Sequence, residues 1–293
     1  MLAVQQLISS NCRMKVLVTG GSGYLGTHVR RFFDAADLSR RSGKDILNPS
    51  DVKAAADYDL IIHMAAHLDK SPTATETTFE TNVIGTKNIL ENVREGAAFI
   101  LLSTKDVYGR FADSHQTVTE TCSTLYAGQW ALEWSKLISE RYLEFYANQR
   151  GFRSCIFRLS TTYAPASEGN VPGFVGHYVD AINQGERLAL PAKGTPIRDV
   201  MHVDDLSRAC SAFSQSVVRN GLYNLGGGPQ NALTLRALLE KMEEVSGLQA
   251  LLDDEVVVPA PVPMRYVSDL ALITQELDWQ PEVDLETGLA TLF

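Results

Sequence analysis

Short apolar runs and longer amphipathic stretches alternate along the first 160 residues. Lys15-Val-Leu-Val-Thr19 is apolar, β-branched and short, which predicts a buried strand. Glycines follow it, and Tyr24 to Phe33 reads as a helix. Asp59-Leu-Ile-Ile-His63, Phe99 to Ser103 and Cys155 to Leu159 read as further strands. Between them, Thr78 to Val93 is helical, with Phe79, Val83, Leu90 and Val93 spaced to share a face. Ala131 to Asn148 is a longer helical stretch that Gly151 stops. Strands alternating with helices predict an α/β fold with a parallel sheet covered on both faces.

The pattern changes after Tyr163. Pro165, Gly169, Pro172, Gly173, Pro191 and Pro196 punctuate the chain around a helix at Phe174 to Asn183. A helix from Asp204 to about Ser216, a strand Gly221 to Leu225, a turn Gly226-Gly-Gly-Pro229 and a helix Leu233 to Ser246 follow, before a proline-rich stretch from Pro259 to Pro263. This predicts a second, smaller C-terminal domain. The larger domain is expected over residues 14–164 with about 200–226, and the smaller over about 165–199 with 227–293. Residues 1–13 read as a loose extension with Met14 as a natural start, and they make a poor signal peptide.

Composition narrows the class. The 293 residues are 45% hydrophobic and 21% charged, enough for a sizeable core. The net charge is −9 with no basic run, which argues against a nucleic-acid partner. No apolar stretch approaches the roughly 20 residues of a membrane helix, so no membrane partner is expected. Cys12, Cys122, Cys155 and Cys210 are scattered without a C-x-x-C pair, which argues against disulfides and zinc and fits a reducing, cytoplasmic compartment. His63 and His67 lie four apart but straddle a strand end, so no metal is expected there.

Thr19-Gly20-Gly21-Ser22-Gly23-Tyr24-Leu25-Gly26 joins the first strand to the first helix. Both Gly20-x-x-Gly23-x-x-Gly26 and Gly21-x-Gly23-x-x-Gly26 are present. The first glycine permits a tight turn and the middle one lets backbone approach a pyrophosphate. The last lets helix pack on strand, with the helix N-terminus facing the phosphates. Dinucleotide binding follows. The acid that holds the ribose hydroxyls of NAD is expected about 20 residues on. That region reads Asp37-Leu-Ser39-Arg40-Arg41. If Leu38 ends a strand, Ser39 takes the acid's place and arginines suited to a 2′-phosphate follow, favouring NADP over NAD. Asp37 keeps NAD open, and Asp45 can accept from the adenine amino group.

With these residues in place, the chain resembles the extended short-chain dehydrogenase/reductase family of nucleotide-sugar epimerases, dehydratases and reductases. The resemblance runs from Met14 nearly to the C-terminus. It is carried by Thr19 to Gly26, His63-Met-Ala-Ala-His67, Asn82-Val-Ile-Gly-Thr86, Leu102-Ser-Thr-Lys-Asp-Val-Tyr-Gly109 and Arg158 to Pro165. Arg198 to Asp205, Tyr223-Asn-Leu-Gly226 and Glu276 to Pro281 continue it. It implies a doubly wound, Rossmann-like parallel sheet as the dinucleotide-binding domain, a smaller C-terminal substrate-binding lobe, and an NAD(P)-dependent enzyme acting on a nucleotide sugar. It also implies cofactor contacts from Tyr24, Leu25, Ala65, Ala66, Asn82 and Tyr163. Arg198 and Asn170 are implied at a substrate diphosphate, and a homodimer packed on the helix that holds Trp130 and Trp134.

The resemblance implies a Ser or Thr followed by Tyr-x-x-x-Lys, whose ammonium lowers the phenol pKa and binds the cofactor ribose. Thr104 matches the Ser/Thr. Lys136, in Ser135-Lys136-Leu-Ile-Ser-Glu140, lies 22 residues before Arg158 and matches the lysine. The residue four before it is Leu132, which has no proton to exchange. Tyr126 offers a tyrosine for the motif, but the residue four after it is Trp130 and not lysine. Three readings stay open. Tyr126 folds back to serve as acid/base; or Lys105 and Asp106, at the positions of a dehydratase acid/base pair, take over; or the chain binds a dinucleotide or sugar nucleotide without turnover. Glu133 is a further acid/base candidate, though a solvated helix face suits it better. Asp204 and Asp205 read as helix caps.

Overall fold

The computed structural model describes residues 14–125 and 130–293. The predicted extension at 1–13 and the acid/base candidate Tyr126 lie outside the described residues. Strands β1 (Val16–Thr19), β2 (Ala36–Leu38), β3 (Leu60–His63), β4 (Ala98–Thr104), β5 (Arg153–Leu159) and, later in the chain, Asn220–Leu225 pair in parallel. Their order across the sheet is β2-β1-β3-β4-β5 and then Asn220–Leu225. The order reverses between β1 and β3, the switch point where such sheets open a crevice at their carboxyl ends.

The continuous apolar runs are explained by both faces being buried. Val16, Val18, Leu60 and Ile62 face one cluster with Val29 of helix α1 (Tyr24–Phe33). Leu17, Ile61, Phe99 and Leu101 face the other.

The predicted helix over 78–93 is broken. It runs as α2 (Thr75–Phe79), a π turn (Glu80–Ile84) and α3 (Gly85–Leu90). The carbonyl of Asn82 accepts from the hydroxyls of Thr86 (2.5 Å) and Ser139 (2.8 Å). Side chains that claim a ladder carbonyl favour such a bulge. Helix α4 (Ala131–Arg150) matches the predicted stretch and ends on Gly151 at φ 74°.

Strand β6 (Thr161–Tyr163) leaves the main sheet and pairs with β7 (Ile197–His202). Helix α5 (Phe174–Gln184) lies between them in sequence, and α6 (Val203–Gln215) leads from β7 to β8 (Asn220–Leu225), the edge of the main sheet. Strand β7 also pairs antiparallel with β9 (Ala232–Thr234) and parallel with β10 (Arg265–Tyr266). Helix α7 (Leu235–Ser246) covers this second sheet through Leu238, Leu239 and Met242. The chain then returns. Ile273 and Leu277 of α8 (Ala271–Leu277), with Trp279, pack into the cluster beneath β1 and β3. The stretch 227–293 therefore does not belong wholly to the lobe as the sequence predicts. Among the described residues no helix is long and apolar enough to cross a membrane.

Helix α4 is keyed to the sheet by charge. Glu140 accepts from Arg158 of β5 through Nε (3.1 Å) and Nη2 (2.7 Å), and from the Ser103 hydroxyl of β4. Both charged side chains are almost fully buried. Glu140→Gln leaves the Arg158 guanidinium without its counter-charge and is expected to cost about 3–5 kcal/mol. Urea unfolding checks this; an unchanged midpoint contradicts it.

Candidate active site

A cleft of about 750 Å³ opens at the carboxyl ends of β1, β3 and β4, within the range of ligand pockets. Its floor is the turn after β1. Gly20 has φ 71°, and its amide donates to Leu38 O at 3.0 Å while Gly23 N donates to Gly20 O at 2.9 Å. A Cβ on Gly20 would stand 2.8 Å from Ala65 N, and one on Gly26 would stand 2.1 Å from Gly20 O. The absence of side chains lets three backbone segments converge, leaving their amides at the N-terminus of α1. Gly20, Gly23, Tyr24, Leu25, Gly26, Ala65 and Ala66 all line the cleft. Gly21 serves another purpose: its Cα faces the Asp37 carboxylate, which a Cβ would approach to 2.7 Å.

At one end stand Ser39, Arg40, Arg41, Asp45 and, unnamed among the predicted contacts, Lys44. Leu38 does end β2, as the NADP argument requires. The carboxylate of Asp37 is turned inward, accepting from the hydroxyls of Ser22 and Ser39. Arg41 donates to Ser22 O (3.2 Å), to Asn170 Oδ1 (2.6 Å) and to Gly169 O.

At the other end are Thr104, Leu132 and Lys136. Leu132 and Lys136 present successive turns of α4 to the cleft, the relation that i,i+4 spacing dictates. Leu132 is only 6% exposed and fills the place predicted for a phenol. Lys136 Nζ donates to Leu102 O at 2.8 Å, and burial pushes its pKa down to about 8. Thr104 Oγ1 accepts from Asp106 N at 3.2 Å.

Lys105 and Asp106 pair with each other behind Thr104. Lys105 is buried with its ammonium 5.4 Å from the Tyr266 ring centre. Lys70 bridges Asp106 (2.9 Å) and Glu133 (3.2 Å). The Lys105 and Lys70 ammoniums overcome the desolvation of Asp106 and hold its carboxyl well below the usual range. Glu133 is therefore not on a solvated face; it is buried, and its other oxygen accepts Trp130 N at 3.0 Å as a helix cap. Lys70 escaped sequence reasoning because its partners lie 36 and 63 residues away.

Several predicted contacts are spent elsewhere. Asn82 is buried and its amide bonds His67 N, His67 O and Ser135 Oγ, so it ties the segment after β3 to α4 instead of lining the cleft. Tyr163 is buried in the lobe core against His202. Arg198 donates to the carbonyls of Ile197, Met264 and Pro263. Asn170 does line the cleft, but beside Arg41 at the Ser39 end rather than the Thr104 end. His63 is held neutral by burial and lies between Thr19 (2.7 Å) and Thr86 (2.9 Å). No cluster of metal-binding side chains occurs among the described residues. Neither Asp204 nor Asp205 is the helix cap: His202 takes that place, its ring accepting from Asp204 N at 3.3 Å, while Asp205, buried in the first turn of α6, accepts from Glu282 N and Val283 N.

The model of the NAD dependent epimerase/dehydratase family matches residues 16–226. The chain belongs to that family. Among relatives of this family member, CDP-paratose 2-epimerase of Salmonella typhi is 27% identical over 96% of this chain and 98% of its own length. A dTDP-glucose 4,6-dehydratase of Mycobacterium tuberculosis is 30% identical over 95% of this chain and 92% of its own. In structure, the UDP-glucuronic acid 4-epimerase of Bacillus cereus, solved with UDP-glucuronic acid and NAD, superposes with a TM-score of 0.81 at 21% identity, covering 95% of this chain and 97% of that one. RMD of Pseudomonas aeruginosa, solved with NADPH, gives 0.78 at 21% identity with the same coverage. These superpositions bear out the Rossmann-like fold.

The ion pairs around Asp106 carry a pH signature. A carboxyl held below its unfolded value of about 3.9 adds stability above that value and loses it as pH falls. Between about pH 5 and pH 3 the urea midpoint of the wild type should therefore fall more steeply than that of Asp106→Asn. Parallel curves would show that the pairing contributes nothing.

Proposed function

We propose that this chain is an NAD(P)-dependent enzyme that interconverts hydroxyl and keto groups on a nucleotide-linked sugar, by epimerisation, dehydration or keto reduction. The observation that carries the reading is the single cleft that runs from the glycine turn at Gly20–Gly26 to Thr104 and Lys136. A nicotinamide dinucleotide would fit the turn because Gly20, Gly23 and Gly26 let the backbone close up beneath the cleft, at the N-terminus of α1. Bound there, it would supply or accept hydride. Lys136 would hold the nicotinamide ribose and Thr104 would hydrogen-bond the reacting oxygen. The names of the relatives support a nucleotide sugar as substrate.

NADP is the preferred cofactor in this reading. Asp37 is occupied by the hydroxyls of Ser22 and Ser39, while Ser39, Arg40, Arg41 and Lys44 line the cleft. Asp106 is a poor acid/base, being locked by two ammoniums and absent from the cleft wall. We extend the proposal to a cytoplasmic homodimer. Its face would be the depression lined by Glu76, Phe79, Glu80, Val83, Ile84 and Ile138, with the exposed Trp134. A second reading, a binding protein without turnover, draws on Leu132 standing where a proton carrier is expected. Lys136→Ala would then leave function unchanged.

Fluorescence titration tests the cofactor. NADPH is expected to bind more tightly than NADH, and Arg40→Ala to weaken NADPH by about 1.5–3 kcal/mol, roughly 10- to 100-fold. Tighter NADH binding by the wild type contradicts the assignment.

Leu132→Tyr tests the catalytic register. The new phenol would stand one turn from Lys136 and is expected to raise the rate of hydride exchange with dTDP-glucose or UDP-glucose. An unchanged rate with intact dinucleotide binding counts against it.

A further inference from the structure

Among the described residues around Thr104 and Leu132, the groups able to move a proton are mostly committed. Asp106 is clamped between Lys105 and Lys70. Glu133 caps α4 and pairs with Lys70. His63 is buried behind the cleft, with both ring nitrogens on threonine hydroxyls. Tyr24 lines the cleft, but its hydroxyl donates to Ala164 O (2.7 Å) and accepts from Ala164 N (2.9 Å).

Lys136 differs. Its ammonium has three donors, and Leu102 O is its one hydrogen-bond partner among the described residues. The charged and titratable groups facing it are few. Glu140, one turn further along α4, is spent on Arg158 and Ser103. His63, from β3, is neutral. From β4 it meets Leu102, Ser103 and Thr104, none of them charged. Glu140 still favours the charged amine from a distance, but burial outweighs it.

We propose that Lys136 is itself the proton carrier: with leucine at 132, its Nζ exchanges with the reacting hydroxyl the proton that a phenol would otherwise have carried. The inference rests on the dinucleotide-dependent reading above. In the oxidative direction the neutral amine takes the hydroxyl proton and the O–H bond breaks. At the same time the C–H bond gives its hydride to the oxidised nicotinamide dinucleotide, so the alcohol becomes a ketone and the dinucleotide is reduced. In the reductive direction the ammonium returns the proton to the oxygen. Burial supports the role by bringing the ammonium down to about 8, so both forms are populated near neutral pH. Leu132 contributes by being apolar: it keeps water from that side of Nζ.

Two measurements test this. The first is competitive acetylation of the intact protein by acetic anhydride across pH, read at Lys136 by mass spectrometry. Titration near 8 is expected; titration at the ordinary lysine value of about 10.4 overturns the inference, whatever the activity. The second is Lys136→Arg, which keeps a cation beside Leu102 O but does not release its proton. It should keep NADPH affinity within a few-fold while turnover of dTDP-glucose or UDP-glucose falls by about 100-fold or more. Retained turnover overturns the proton role and leaves the dinucleotide reading standing. A wild type that binds neither NADPH nor NADH overturns both.

Discussion

Three backbone segments meet without side chains at the turn after β1, and the rest of the site depends on that contact. Gly20 abuts the backbone after β3, and Gly26 abuts the carbonyl of Gly20. This contact brings α1 down onto the sheet and points its N-terminal amides at the crevice. It also draws Ala65 and Ala66 to the cleft wall. Asn82 then secures the same segment from behind by bonding His67 through both ends of its amide. A residue read as a cofactor contact thus shapes the wall that a cofactor would touch.

The second organising constraint is how charge is spent. Buried carboxylates near the cleft are each satisfied by a cation or by backbone donors: Glu140 by Arg158, Asp106 by Lys105 and Lys70, Glu133 by Lys70 and a helix-cap amide. These contacts cross between β4, β5, α4 and the segment after β3, so they fix α4 against the sheet at several points. The position of Lys136 is inherited from that fixation. Its ammonium donates to Leu102 O and its helix is held through Glu140 by Arg158, so the ammonium has little freedom to leave the cleft.

The legibility of these features in sequence follows how local they are. The glycine turn, β1 and α1 could be read directly, because strand, turn and helix are contiguous and each glycine answers a nearby steric demand. Leu132 and Lys136 were legible for the same reason: helical periodicity relates them. Arg198 and Tyr163 were not, because their orientation is decided by β10 and by the lobe core, far along the chain. The π turn at Glu80–Ile84 was hidden because Ser139, one of the two hydroxyls that claim the Asn82 carbonyl, belongs to another helix. The quartet of Lys70, Lys105, Asp106 and Glu133 draws on three separate segments, and no spacing rule anticipates it.

In the proposed reading, the leucine at 132 and the burial of Lys136 act in the same direction. A tyrosine at 132 would bring a hydroxyl to the cleft wall, a hydrogen-bonding neighbour that favours the ammonium of Lys136. Leucine supplies neither charge nor hydrogen bond. Burial disfavours the charged amine and outweighs the pull of Glu140. Where a phenol is absent, that desolvation would suit the neighbouring lysine to carry the proton in its place.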